Sequence, residues 1–141
     1  MDTYEAFRSE ESYLRLERHT SVCAGDVFSG KNIPLLDANN GGSAVAIADS
    51  LQKAYNTFKN VDTIITGHSS NMTMADLKEY VDLNREFVND VKTAKRAGKS
   101  IDEVAATWKV PAKYAGYAPA DANRLKNNVR LAYSELGAAT R

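Results

Sequence analysis

The sequence has 141 residues, which is enough for one domain with a buried core. Its 18 basic residues balance 18 acidic ones, so no global field favours nucleic acid or an anionic membrane as a partner. The composition is 43% hydrophobic and 26% charged, which argues against disorder. No apolar run approaches the roughly 20 residues of a membrane span. The N-terminus lacks the pattern of a secretion signal, so we expect a cytoplasmic location by default.

The N-terminal segment, residues 1–19, is ambiguous. Its first part favours a helix, whereas residues 13–17 partly alternate like a strand. We treat residues 20–141 as a partial domain with a helical C-terminal tail. Within it, residues 20–24 favour a short strand that stops at Gly25.

A turn-rich loop leads to the first predicted helix. Ser43 is suited to be its N-cap, and apolar residues recur at helical spacing from Val45 to Phe58. Residues 61–66 then predict a buried strand, which is closed by Gly67. The second strand is thus separated from the first by a helix.

Two capping boxes predict the next two helices. Thr73 and Asp76 would open a long helix, and Gly98 would end it in a left-handed conformation. Ser100 and Glu103 would open a short helix after it.

A last helix is predicted to start at Asp121 and to stop at Gly137. The order is therefore strand, loop, helix, strand and three helices, which indicates an α/β (α+β) fold. Two strands do not make a stable sheet beneath a helical layer unless something completes it. The pattern therefore predicts an incomplete domain.

Both predicted strands end in a glycine that precedes a side chain able to bind metal. These pairs are Gly25-Asp26 and Gly67-His68. Ligands gather at the carboxyl ends of strands in open α/β folds. A neutral imidazole suits zinc or iron, and a carboxylate can bind one ion or bridge two. Either pair alone is more often a turn or a structural feature, but the two together, with an Asn-Gly-Gly-Ser loop between them, are more specific.

These motifs resemble the C-terminal half of the metallo-β-lactamase superfamily, and the likeness spans about residues 20–118. It rests on three segments and on the helical tail that follows them: 23–28 (CAGDVF), 40–43 (NGGS), 61–68 (VDTIITGH) and 73–104. The resemblance implies the C-terminal half of an αββα sandwich, with a few strands and about four helices.

The resemblance also implies a metal site. Asp26 matches the metal-bridging aspartate of the family and His68 its final metal histidine, in a site for one or two zinc ions. The family's His-x-His-x-Asp-His motif is absent, and the chain has two histidines in total. His19 is more suited to be an exposed strand residue than a ligand. We therefore expect weak zinc binding or none, and we assign no catalytic residue.

Three functions remain open. The first is a truncated or degenerate metal-dependent hydrolase that is inactive alone. The second is a hydrolase half completed by a separate N-terminal half or by self-association into a homo-oligomer. The third is a helical protein-interaction module without metal.

The single cysteine, Cys23, is expected to be a small buried residue and not a nucleophile.

Overall fold

A computed structural model describes residues 21–138, so the ambiguous segment 1–19 and its His19 lie outside the described residues. The described chain is a mixed α/β structure with two parallel strands and four α-helices, as the sequence predicts at this level. Two short 3-10 helices occupy the loop between the first strand and the first α-helix. The elements are β1 (Ser21–Gly25), α1 (Ile47–Thr57), β2 (Thr63–Thr66), α2 (Met74–Arg96), α3 (Ile101–Thr107) and α4 (Ala122–Ala138).

The two strands pair in parallel, with Val22 opposite Ile64 and with an irregularity near the end of β1. The side chains on one face of this two-stranded sheet are less buried than predicted. Cys23 is half-buried, because it lies on the opposite face of β1 from Val22. Ile65 is likewise 37% exposed, so the second strand, which was predicted to be buried, is buried on one face only.

Both predicted capping boxes are confirmed. At the start of α2, Thr73 Oγ1 accepts the Asp76 N–H at 3.1 Å, and Asp76 Oδ2 accepts the Thr73 N–H at 2.8 Å. Ser100 and Glu103 exchange the same two bonds at the start of α3. Gly98 has a φ of 78°, the left-handed conformation expected after α2.

Two predicted helix ends are wrong. Ser43 does accept a backbone N–H, from Ala46, but α1 begins only at Ile47 because a turn comes first. At the C-terminus α4 continues through Gly137, which lacks a positive φ. A Cβ at this position would lie 3.2 Å from Lys95 Nζ, so the glycine leaves room for that side chain.

The core lies between the sheet and the helices. The long helix α2 packs against α1 and α4, and α3 packs against α4. Phe28, just after β1, stacks on Tyr80 of α2 with ring centroids 4.8 Å apart. The apolar face of α2 is therefore used inside the chain. Within residues 21–138, no helix combines the length and the apolar character needed to cross a bilayer.

Candidate functional site

The two predicted metal ligands lie together where the parallel strands end. Gly67 N–H donates to the Gly25 carbonyl at 3.2 Å, which keeps the two chain segments in register just beyond the sheet. The next residues bring Asp26 Oδ1 and His68 Nε2 to 2.9 Å from each other. Both side chains are more than 70% exposed, at 71% and 74%. The pair is therefore open to water and to a further ligand.

The glycine before His68 allows this close approach. A Cβ at Gly67 would lie 2.5 Å from Asp26 Oδ1, which is closer than nonbonded atoms can pack. Gly25 has a φ of 51°, a region in which a side chain is strained. Gly25 thus allows the chain to turn at the end of β1, and Gly67 leaves room for Asp26 beside His68.

The turn after β2 is closed by side-chain hydroxyls. Thr66, the last residue of β2, places Oγ1 3.0 Å from the Ser69 carbonyl and 2.8 Å from Ser69 Oγ. Ser69 in turn lies against Gly30, where a Cβ would come within 2.4 Å of Ser69 Oγ. Thr66 is a site residue that the sequence motifs did not predict. The available signal was a hydroxyl residue at the end of a strand, directly before Gly-His-Ser-Ser.

Helix α4 holds the loop that follows β1. Three of its polar side chains donate to backbone carbonyls of residues 33–36, and such bonds satisfy backbone groups that the loop cannot pair itself. The bonds run from Arg124 Nη1 to the Ile33 carbonyl at 3.2 Å, from Asn127 Nδ2 to the Leu36 carbonyl at 2.9 Å and from Asn128 Nδ2 to the Pro34 carbonyl at 2.8 Å. The chain between Asp26 and α1 is therefore fixed by contacts distant in sequence.

Lys31 fastens the same loop to α2. Its Nζ lies 3.3 Å from Glu79 Oε1 and 3.4 Å from Asp76 Oδ1, and it donates to the Ala115 carbonyl at 3.1 Å. Burial opposes the charge, but Glu79 and then Asp76 outweigh it and hold the pKa of Lys31 above its ordinary value. The charged side chain of Lys31 thus links the loop after β1 to α2.

A groove of about 650 Å³ runs along the outer face of α2. Glu86 accepts hydrogen bonds from Lys113 and Tyr114, both at 2.7 Å, which hold the pKa of its carboxyl below the usual range. The charged residues of the groove all have partners: Lys78 with Asp82, Glu79 with Lys31, Arg85 with Asp49, and Glu86 with Lys113. Because these charges neutralise one another, we assign no ligand to the groove.

The donor set fits a metal ion only in part. A catalytic zinc site usually has three protein ligands and one open position. Asp26 and His68 have the right chemistry and lie side by side, but residues 21–138 contain no group of three or more His, Cys, Asp or Glu side chains able to hold an ion. The described residues therefore do not form a complete metal site by themselves.

No protein-family model matches the sequence, and no curated protein matches it. The chain is similar to part of an alkyl sulfatase. The likeness is to a double mutant of the sec-alkyl sulfatase PisA1, with a TM-score of 0.63 and 17% sequence identity, over 88% of this chain and 21% of that one. PisA1 contains a metallo-β-lactamase fold, and the present chain spans about a fifth of its length. At this identity the match establishes a likeness in fold to one part of PisA1, without showing which of its domains that part is, and it does not establish a shared activity.

Proposed function

We propose that this chain forms the C-terminal half of a metallo-β-lactamase-like sandwich from a metal-dependent hydrolase, and that it is inactive alone. The contact of 2.9 Å between Asp26 and His68 carries the proposal. Two residues separated by 42 positions, each after a glycine at the end of a strand, meet at one edge of a parallel sheet. The fold likeness to part of PisA1 supports the same interpretation.

Each residue of the pair has one role in the proposal. Asp26 would supply a carboxylate oxygen able to bridge two ions, and His68 would supply the Nε2 lone pair to one of them. Zinc, when bound, supplies Lewis acidity and an activated water. Gly67 and Thr66 would not bind the metal in this proposal, but they would keep the two ligands close together. Because two donors are too few for a catalytic ion, we expect the purified chain to bind zinc weakly or not at all.

Zinc retention and hydrolysis test this proposal directly. The purified chain is incubated with zinc, desalted and analysed by elemental mass spectrometry, and then assayed against esters, thioesters, lactones, phosphoesters and a secondary alkyl sulfate. We expect far less than one zinc per chain and no turnover. Stoichiometric zinc together with turnover would overturn the proposal if both were lost in Asp26→Asn and in His68→Ala.

A second candidate is that another chain completes the half. Within the described residues β1 pairs only with β2, so its outer edge offers unpaired backbone groups, and Ile65 of β2 presents an apolar side chain on one face of the sheet. The completing chain would be a separate N-terminal half or a second copy. Co-expression with an N-terminal half that carries His-x-His-x-Asp-His should then yield retained zinc and hydrolysis, and both should be lost with His68→Ala. A chain that stays monomeric and zinc-free in this mixture counts against completion.

The structure offers less support for a helical interaction module. Helix α2 buries its apolar residues inside the chain, and its outer face is the charge-paired groove. Alanine substitution of Asp26 and His68 separates this alternative from the others. If a partner is found and its binding is unchanged in both variants, the helical module is favoured.

A further inference from the structure

We propose that Thr66 is a positioning residue, whose hydroxyl closes the turn after β2 and thereby holds His68 against Asp26. The inference rests on the proposed function, because it concerns how the two proposed ligands are brought together. Thr66 does not touch either ligand. It acts through the backbone of the turn that carries His68.

The hydrogen bonds of Thr66 close a turn that contains His68. Oγ1 lies 3.0 Å from the carbonyl of Ser69, 2.8 Å from its hydroxyl and 3.4 Å from the carbonyl of Ser70. A hydroxyl has one proton to donate and can accept as well, so it can donate to the Ser69 carbonyl while it accepts from Ser69 Oγ. Only Gly67 and His68 lie between the two ends of this closed turn. Thr66 is 8% exposed, so water competes little for its hydroxyl.

The same turn is docked on the loop that carries Asp26. A Cβ at Gly30 would lie 2.4 Å from Ser69 Oγ, so the two loops are in close contact beyond the ligand pair. The loops thus meet at three places: the hydrogen bond from Gly67 to Gly25, the ligand pair itself and the contact of Ser69 with Gly30. Loss of the Thr66 hydroxyl would free one side of this arrangement.

His68 needs such support because packing does not provide it. Its side chain is 74% exposed, and an exposed ion pair is too weak to fix a loop by itself. Precise placement of a metal ligand usually depends on hydrogen bonds made by residues around it. Among residues 21–138, Thr66 is the buried side chain that bonds directly to this turn.

The test uses the full chain and needs no metal. The chain has two histidines, so comparison with His68→Ala assigns the His68 ring signals in an NMR spectrum. All spectra are recorded at one pH and one salt concentration, so that the proteins compared differ only in sequence. The change that Asp26→Asn causes in the His68 signals then reports the contact between the two side chains. It is measured in the wild type, Thr66→Val, Thr66→Ser and the matched control Thr63→Val, which alters the other end of β2.

We expect Asp26→Asn to move the His68 signals in the wild type, in Thr66→Ser and in Thr63→Val, and by less than half as much in Thr66→Val. The proposal is overturned if Thr66→Val retains the full response, or if Thr66→Ser loses it as completely, since packing and not the hydroxyl would then be responsible. Circular dichroism checks the fold of each variant, and Thr66→Ala replaces Thr66→Val if that protein does not fold. Failure of the completed enzyme to bind zinc would count against the proposed function and leave this measurement unchanged.

Discussion

Replacement of Gly67 with alanine should break the ligand pair while the fold survives. The added Cβ would lie 2.5 Å from Asp26 Oδ1 and 3.3 Å from the carbonyl carbon of Gly25. The nearer atom is the end of a side chain that is 71% exposed, so it can rotate into solvent. We therefore expect the carboxylate of Asp26 to move away from His68, with only a slight adjustment of the backbone.

The expected change in the free energy of unfolding is small. Loss of an exposed ion pair costs about 0–1 kcal/mol. Alanine also restricts the unfolded chain, which stabilises by about 0.4–1 kcal/mol where the backbone conformation suits it, and Gly67 has no positive φ. The two effects oppose each other, so Gly67→Ala should stay within about 1 kcal/mol of the wild type.

Gly42→Ala is the matched comparison. There the new Cβ would lie 2.7 Å from the backbone oxygen of Asp37 and 2.8 Å from its backbone nitrogen, and backbone atoms cannot rotate away. We expect a loss of about 1–3 kcal/mol, as for other overpacked sites. Urea denaturation followed by circular dichroism measures both variants, and NMR of the His68 ring reports the site. The reasoning is refuted if Gly67→Ala destabilises the protein as much as Gly42→Ala does, or if it leaves the His68 signals unchanged.

Three further predictions concern the scaffold. Thr73→Ala removes the acceptor for the Asp76 N–H at the start of α2 and should lower the free energy of unfolding in urea by about 1 kcal/mol; an unchanged midpoint would contradict a role for the cap. Glu86→Gln should be less stable than the wild type at neutral pH. The hydrogen bonds of Lys113 and then Tyr114 hold the pKa of Glu86 below its ordinary 4.5, so its stabilisation is present above that value and is lost as the pH falls through the lower pKa of the folded state. Urea titrations at several pH values should therefore show the two proteins converging in acid, and a constant difference would contradict this. Leu51→Ala empties a fully buried position in α1 and should cost about 2–5 kcal/mol in the same assay, whereas a cost below about 1 kcal/mol would indicate a core that relaxes around it.

The predictions that succeeded from sequence depend on local interactions. The capping box of Thr73 and Asp76 involves residues three apart, so its bonds form wherever the helix starts. The start of α1 at Ile47 and the continuation of α4 through Gly137 depend on other elements. Glu135 Oε2 of α4 accepts the N–H of Val45 at 2.9 Å in the turn before α1, and Lys95 of α2 approaches Gly137. Such contacts join residues tens of positions apart, and no local pattern reveals them.

For the candidate site too, one part could be predicted from the sequence and another part could not. The proximity of Asp26 and His68 follows from topology, because residues after two adjacent parallel strands emerge at one edge of the sheet. The contacts of Thr66 with Ser69, and of Ser69 with Gly30, depend on the conformation of a turn that the sequence leaves undetermined. The proposed ligands could thus be named from the sequence, whereas Thr66, which we propose to position His68, could not.

The exposure of the ligand pair argues that the described residues alone do not make a working site. Water-activating metal sites gain their strength from several donors in a dry, shaped cavity, where charges interact strongly. Asp26 and His68 are each more than 70% exposed, so solvent screens them, and an ion bound there would gain only two donors. A partner surface that covered this edge of the sheet would supply the missing donors and exclude water at the same time. Coverage and coordination are therefore expected to appear together, and retained zinc should be accompanied by protection of His68 from solvent.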